Sequence, residues 1–149
     1  MSAARTRERL YPYALALVSV PAWFYVFRWL NLSKEQAKEL FGAILNVSAI
    51  AGGFLGTAAS ILLTMGSAPV MKDLARSGGL TLLNRYILSA IWHQFLLVAV
   101  SVSLLLIYPK IAYPHVLLSL AVSWGTLVSL AALSSLRIIG LFGRIVTAD

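Results

Sequence analysis

Among the side chains that could do chemistry in this chain, the telling ones are the acids and histidines, because of where they are missing. The five acidic residues, Glu8, Glu35, Glu39, Asp73 and Asp149, all lie in termini or short connections, and none lies inside a long apolar stretch. Carboxylate proton relays and carboxylate-coupled transport therefore lack their usual carrier. His93 and His115 have no carboxylate nearby in sequence to orient them as metal ligands. The absence of cysteine excludes thiolate metal sites, iron–sulfur clusters, disulfides and cysteine nucleophiles. A serine nucleophile would need a base and an orienting acid that the apolar stretches do not supply. Gly52, Gly53 and Gly56 sit in mid-stretch with no Lys-Ser/Thr pair after them, so they do not form a phosphate loop. The expectation is a chain that is not an enzyme and has no cofactor.

What the apolar stretches do contain is hydroxyls, amides and small residues in register. Ser119, Ser123, Thr126, Ser134 and Arg137 fall within a narrow sector at about 100° per residue. Such a face could line a wet path, or each hydroxyl could bond to the carbonyl one turn back. Ser89, His93 and Gln94 form a second polar group, and Asn46, Thr57 and Thr64 a third; all are costly to expose to hydrocarbon and should face protein or water. His93 could serve a proton-linked gate or an interhelical hydrogen bond. Gly42, Ala49, Gly52, Gly56 and Ala59 recur at helical spacing, with Gly53, Ser60, Thr57 and Thr64 beside them. The repeat Gly52-x-x-x-Gly56-x-x-x-Ser60 lets another helix backbone approach closely, within the chain or between copies.

These residues must be carried by membrane helices. With 60% apolar and only 11% charged residues in 149, there is too little charge to coat a soluble globule. Four stretches approach the roughly 20 apolar residues that a crossing helix needs: Leu10–Leu30, Leu40–Met65, Tyr86–Tyr108 and His115–Leu136. The expected fold is an all-α integral membrane protein, a single domain forming a bundle of four transmembrane helices with short loops. Pro21 should kink the first helix by freeing the carbonyl of Leu17, while Pro12 is expected in the first turn, where it is harmless. The second span is long and must tilt or project. A secretory signal would compete for the N-terminus, but apolarity continues through Phe27, which favours a retained span.

In helix count and length the chain resembles the small multidrug resistance transporters. That family depends on a membrane-embedded glutamate in its first helix, whereas the first span here offers only Tyr, Ser, Trp and Arg28, so the resemblance ends at size.

Orientation follows from the basic residues. Arg5, Arg7, Arg9, Lys72, Arg76, Arg85, Arg137 and Arg144 flank one side, eight against the four of Arg28, Lys34, Lys38 and Lys110 on the other. Both termini and the 66–85 connection are then expected in the cytoplasm. The aromatics Trp23, Tyr25, Phe27, Trp29, Tyr108 and Tyr113 mark the outer interface. Arg28 is read as a snorkelling anchor. The net charge of +7 is read as topology and attraction to anionic lipid, with no nucleic-acid partner.

The connections are too short for a folded extramembrane domain. Ser33 and Gln36 have the spacing of a capping box, so the second helix should start before the bilayer. The 66–85 connection, with Met71, Lys72, Arg76 and Arg85, fits an interfacial turn on lipid or a surface for a cytoplasmic protein partner. The leading functional expectation is a homo-oligomer in a prokaryotic inner membrane, acting as a pore or membrane-perturbing effector. The alternatives are a non-catalytic subunit signalling to a cytoplasmic partner, for example in a prokaryotic defence system, and a small-solute transporter.

Overall fold

A computed structural model describes the backbone of residues 3–30, 32–64, 72, 76 and 78–146. Helix α1, Ala3–Leu30, runs for 28 residues without interruption. It starts well before the apolar stretch, because Ala and Arg propagate a helix easily. Pro12 is thus not in the first turn, as the sequence suggests; it is inside the helix and fully buried, and both it and Pro21 remove a backbone donor from a continuous helix.

Helix α2, Lys34–Thr64, has 31 residues, about 46 Å of rise, so it overruns a perpendicular crossing. Its start is the expected capping box. Gln36 N–H donates to Ser33 Oγ at 3.2 Å, and Ser33 N–H donates to Gln36 Oε1 at 3.0 Å. Helix α3, Gly79–Ile107, begins after Gly78, whose φ of 73° is left-handed backbone that favours glycine. At its far end comes a single 3-10 turn, Tyr108–Lys110, containing Pro109. Helix α4, Pro114–Val146, starts on a proline, where the missing donor costs nothing. Among the described residues there is no strand, and four helices are long and apolar enough to cross a membrane.

The helices pack in the spatial order α2, α3, α4, α1, while α1 and α2 make marginal contact at most. We call the end with the 31–33 connection and the 3-10 turn the turn end, and the opposite one the terminal end. At the turn end the core is aromatic. The Phe27, Trp124, Phe41 and Tyr108 rings stand in sequence, with centroid spacings of 6.4, 4.8 and 5.1 Å. Toward the terminal end the core is Leu55, Leu83, Tyr86, Ile87, Ala90 and Ile138. Many large apolar side chains are exposed, including Val18, Tyr25, Ile50, Phe54, Trp92 and Trp29. On four such helices that outer surface belongs against lipid, so the chain is a small membrane protein.

Candidate functional site

Polar side chains converge between α3 and α4, on their terminal-end halves. Successive turns of each helix bring residues three or four apart onto one face, so α3 presents Tyr86, Ala90, His93 and Gln94 to α4. In return α4 presents Ala131, Ser134, Ser135, Arg137 and Ile138. His93 Nδ1 and Ser134 Oγ are 3.0 Å apart, their donor and acceptor roles set by the tautomer. Gln94 Nε2 donates to Ser135 Oγ at 2.9 Å and to the Ala131 carbonyl at 3.4 Å. The Arg137 guanidinium lies 3.9 Å from the centroid of the Tyr86 ring, a cation–π contact. Tyr86 is buried and its hydroxyl makes no hydrogen bond among the described residues. Helix α1 reaches the cluster through Tyr13, whose ring meets His93 edge-on at 5.7 Å and 74°. This cluster sits at the meeting of three helices. It can hold a proton at His93 and fix three helices relative to one another, but among the described residues no group of three metal-ligating side chains forms.

The expected polar positions fall into three groups. His93, Gln94, Ser134 and Arg137 come together as described, with Ser89 half-buried one turn away on α3. Ser119 and Ser123 are exposed on α4 and Thr126 is part-buried. Each donates to the carbonyl four residues back, at 2.9 Å, and none faces the cluster. Asn46, Thr57 and Thr64 lie on the exposed side of α2, where Thr57 bonds to Gly53 O and Thr64 to Ile61 O.

The small residues of α2 also divide. Gly52 faces α3, where a Cβ would stand 3.5 Å from Gln94 Cβ, and Ala59 packs against the terminal-end core. At Gly42, Gly53 and Gly56 an added Cβ would meet nothing within 4 Å, Ala49 is exposed, and Ser60 bonds only to Gly56 O. The outward half of α2 is therefore split lengthwise. At 100° per residue, Val47, Ile50, Phe54 and Ile61 form a bulky apolar flank, and Asn46, Ala49, Gly53, Thr57, Ser60 and Thr64 a small, polar one. Lys72, Arg76 and Arg85 are exposed, whereas Met71 lies outside the described residues.

Sequence reasoning missed two tryptophan anchors. Trp23 Nε1 donates to Ser129 Oγ across α1 and α4, and Trp124 Nε1 donates to Ser101 Oγ across α4 and α3, both at 2.9 Å. Gly125 receives Trp23: a Cβ there would lie 2.5 Å from Trp23 Cδ2. One signal was present, since Trp124 lies in mid-span and an indole N–H in hydrocarbon demands an acceptor. No protein-family model, no curated protein and no solved structure matches this chain.

Proposed function

We propose that the protein acts as a homo-oligomer in the membrane, its subunits meeting along the small, polar flank of α2, and that the assembly is a non-catalytic pore or membrane-perturbing effector. The observation that carries this reading is Asn46. Its carboxamide is exposed on a membrane helix, in line with Gly53, Thr57 and Ser60, and makes no hydrogen bond among the described residues. Hydrocarbon satisfies neither donor nor acceptor, whereas the same flank of a second copy offers both. Small residues beside Asn46 allow the backbones to approach closely enough for that exchange. Because the polar residues of one chain are divided among three locations, a lumen would have to lie between subunits.

Native mass of the protein in lipid nanodiscs, together with ion and dye release from liposomes, tests the reading. The wild type should give a discrete oligomer and leak. Asn46→Leu and Gly53→Leu should shift the mass to monomer and abolish release, while Ile50→Leu on the bulky flank should change neither. A wild type that stays monomeric at every protein-to-lipid ratio would sink the oligomer, and an oligomer that releases nothing at any polarity or pH would sink the pore.

A second reading is favoured by exposure of the basic residues Lys72, Arg76 and Arg85 near one end of α3. They suit docking to an acidic cytoplasmic protein or to anionic headgroups. Charge reversal at Lys72 and Arg76 should then abolish co-extraction of a soluble partner from the native membrane; unchanged co-extraction would reject it. Cytoplasmic placement of both termini is part of the same proposal and rests on the distribution of basic residues.

A further inference from the structure

Every exposed tryptophan or tyrosine among the described residues stands at one of two levels along the bundle. At the turn end these are Tyr25, Trp29 and Tyr113, and toward the terminal end they are Tyr11, Tyr13 and Trp92, the last of them 67% exposed. Exposed Phe24 and Phe95, which carry no polar atom, stand between the levels. Side-chain contacts hold the four helices in register at the second level. The Tyr13 ring meets the ring of His93, the residue after Trp92, and His93 is held to Ser134 of α4. One residue further on, Gln94 stands against Gly52 of α2. The helices therefore cross this level at Tyr13, Trp92, Ser134 and Gly52.

A ring that joins apolar carbon to one N–H or O–H is best placed where hydrocarbon gives way to headgroups. At about 1.5 Å per residue, the rise from Tyr11 to Trp29 on α1 is about 27 Å, and that from Trp92 to Tyr108 on α3 is about 24 Å. Two helices thus agree on one thickness, and it falls short of the usual hydrocarbon core of about 30 Å. Apolar composition alone puts the boundary further out, since the apolar windows run to Leu62 on α2 and Leu141 on α4. On α3, however, the exposed surface turns polar two turns past Trp92, at Asn84 and Arg85.

We propose that Tyr11, Tyr13 and Trp92 seat the protein at the headgroup boundary of a thin bilayer, its lipid-facing surface fitting a hydrocarbon core of about 24–27 Å. The polar junction of His93, Gln94, Ser134 and Ser135 then lies at headgroup depth, and the last turns of α2 and the first of α3 stand beyond the hydrocarbon. A bilayer with a core of about 30 Å has to thin around such a surface. That perturbation needs neither a second copy nor a lumen, so it stands or falls independently of the proposed oligomer.

Because the chain has no cysteine, single cysteines can be introduced for spin labels without removing any. With the full-length protein in liposomes, collision of each label with oxygen and with a water-soluble nickel chelate reports its depth. Labels at Val47→Cys and Val102→Cys should report hydrocarbon. Labels at Ile61→Cys and Ile139→Cys should report water, although both positions lie inside the apolar windows. Combining Tyr11→Leu with Trp92→Leu, both at exposed side chains, should draw the boundary outward and lower chelate access at Ile61→Cys several-fold, whereas Trp92→Tyr should leave it unchanged. Phosphatidylcholines with brominated chains of about 14, 18 and 22 carbons, offered in competition, quench the lipid-exposed tryptophans, and quenching should favour the shortest several-fold over the longest. Labels at Ile61→Cys and Ile139→Cys as sheltered as that at Val102→Cys, a boundary unmoved by the double leucine variant, or quenching that favours the longer chains or none would each overturn the proposal.

Discussion

Gly125 is the position where one methyl group should matter most. The atoms it would meet, Trp23 Cδ2 at 2.5 Å and Cγ and Cε3 at 2.8 Å, belong to a rigid ring that cannot yield by rotating a flexible end. Gly125→Ala must push Trp23 outward and stretch its bond to Ser129, with a cost in the overpacking range of about 1–3 kcal/mol. Gly140→Ala is the control, since nothing lies within 4 Å of the added carbon; there the gain in helix propensity should leave stability unchanged or raised by up to about 1 kcal/mol. Reversible unfolding in mixed detergent micelles distinguishes the two, and equal effects would show that Trp23 does not depend on that notch. The seat is hard to find in the sequence because nothing local distinguishes Gly125 from Gly53 or Gly56. Their Gly-x-x-x spacing marks a surface that permits close approach, but which glycine is approached depends on where a tryptophan a hundred residues away is carried. His93, Gln94 and Ser134 were legible as costly polar groups; that Tyr13 and Tyr86 complete their surroundings was not, because aromatics near helix ends also suit the lipid interface.

At the scale of elements, what is encoded locally was legible and what depends on neighbours was not. The capping box of α2 follows from Ser33 and Gln36 alone, and the four apolar stretches from length alone. The first apolar span, Leu10–Leu30, coincides with the expected one, while the helix that carries it begins earlier, at Ala3, because hydropathy marks where a helix enters hydrocarbon and not where it starts. One contact between elements links both connections at the turn end. Lys34 Nζ donates to the carbonyls of Pro109 at 3.1 Å and Ile111 at 3.0 Å, tying the start of α2 to the turn between α3 and α4. Among the described residues neither carbonyl takes a backbone N–H from the turn, so the ammonium replaces partners that water would otherwise supply. Lys34→Met should leave overall stability nearly unchanged, as expected for an exposed interaction worth about 1 kcal/mol or less. It should speed amide hydrogen exchange selectively around Ile111–Tyr113. Exchange there that matches the wild type would mean the turn is held by Pro109 and Phe41 packing alone.

For the whole molecule the decisive feature is the chain path, in which α1 is followed directly by α2 yet packs on α4. Helices α2, α3 and α4 share both cores, the aromatic series through Trp124 and the aliphatic group around Ile87, and the Trp124–Ser101 bond pins α3 to α4. Among its described side chains helix α1 buries few, Pro12, Ala16 and Phe27, and it is held by its Trp23 and Tyr13 anchors. The molecule should therefore come apart in two steps, α1 leaving a three-helix unit that persists. Combining Trp23→Ala with Tyr13→Ala removes both anchors while leaving every side chain of α2, α3 and α4 in place. Its effect should be confined to α1: limited proteolysis after extraction should cut near residues 31–33, and hydrogen exchange should accelerate through α1 while α3 around Leu97–Leu104 stays as protected as in the wild type. The same logic sets what the wild type does on heating, since side-chain burial, not helix length, orders the steps when every helix already satisfies its own backbone in the membrane. If exchange rose together in α1 and α3, the four helices would be one cooperative unit, and the separation implied by the α2, α3, α4, α1 order would be wrong.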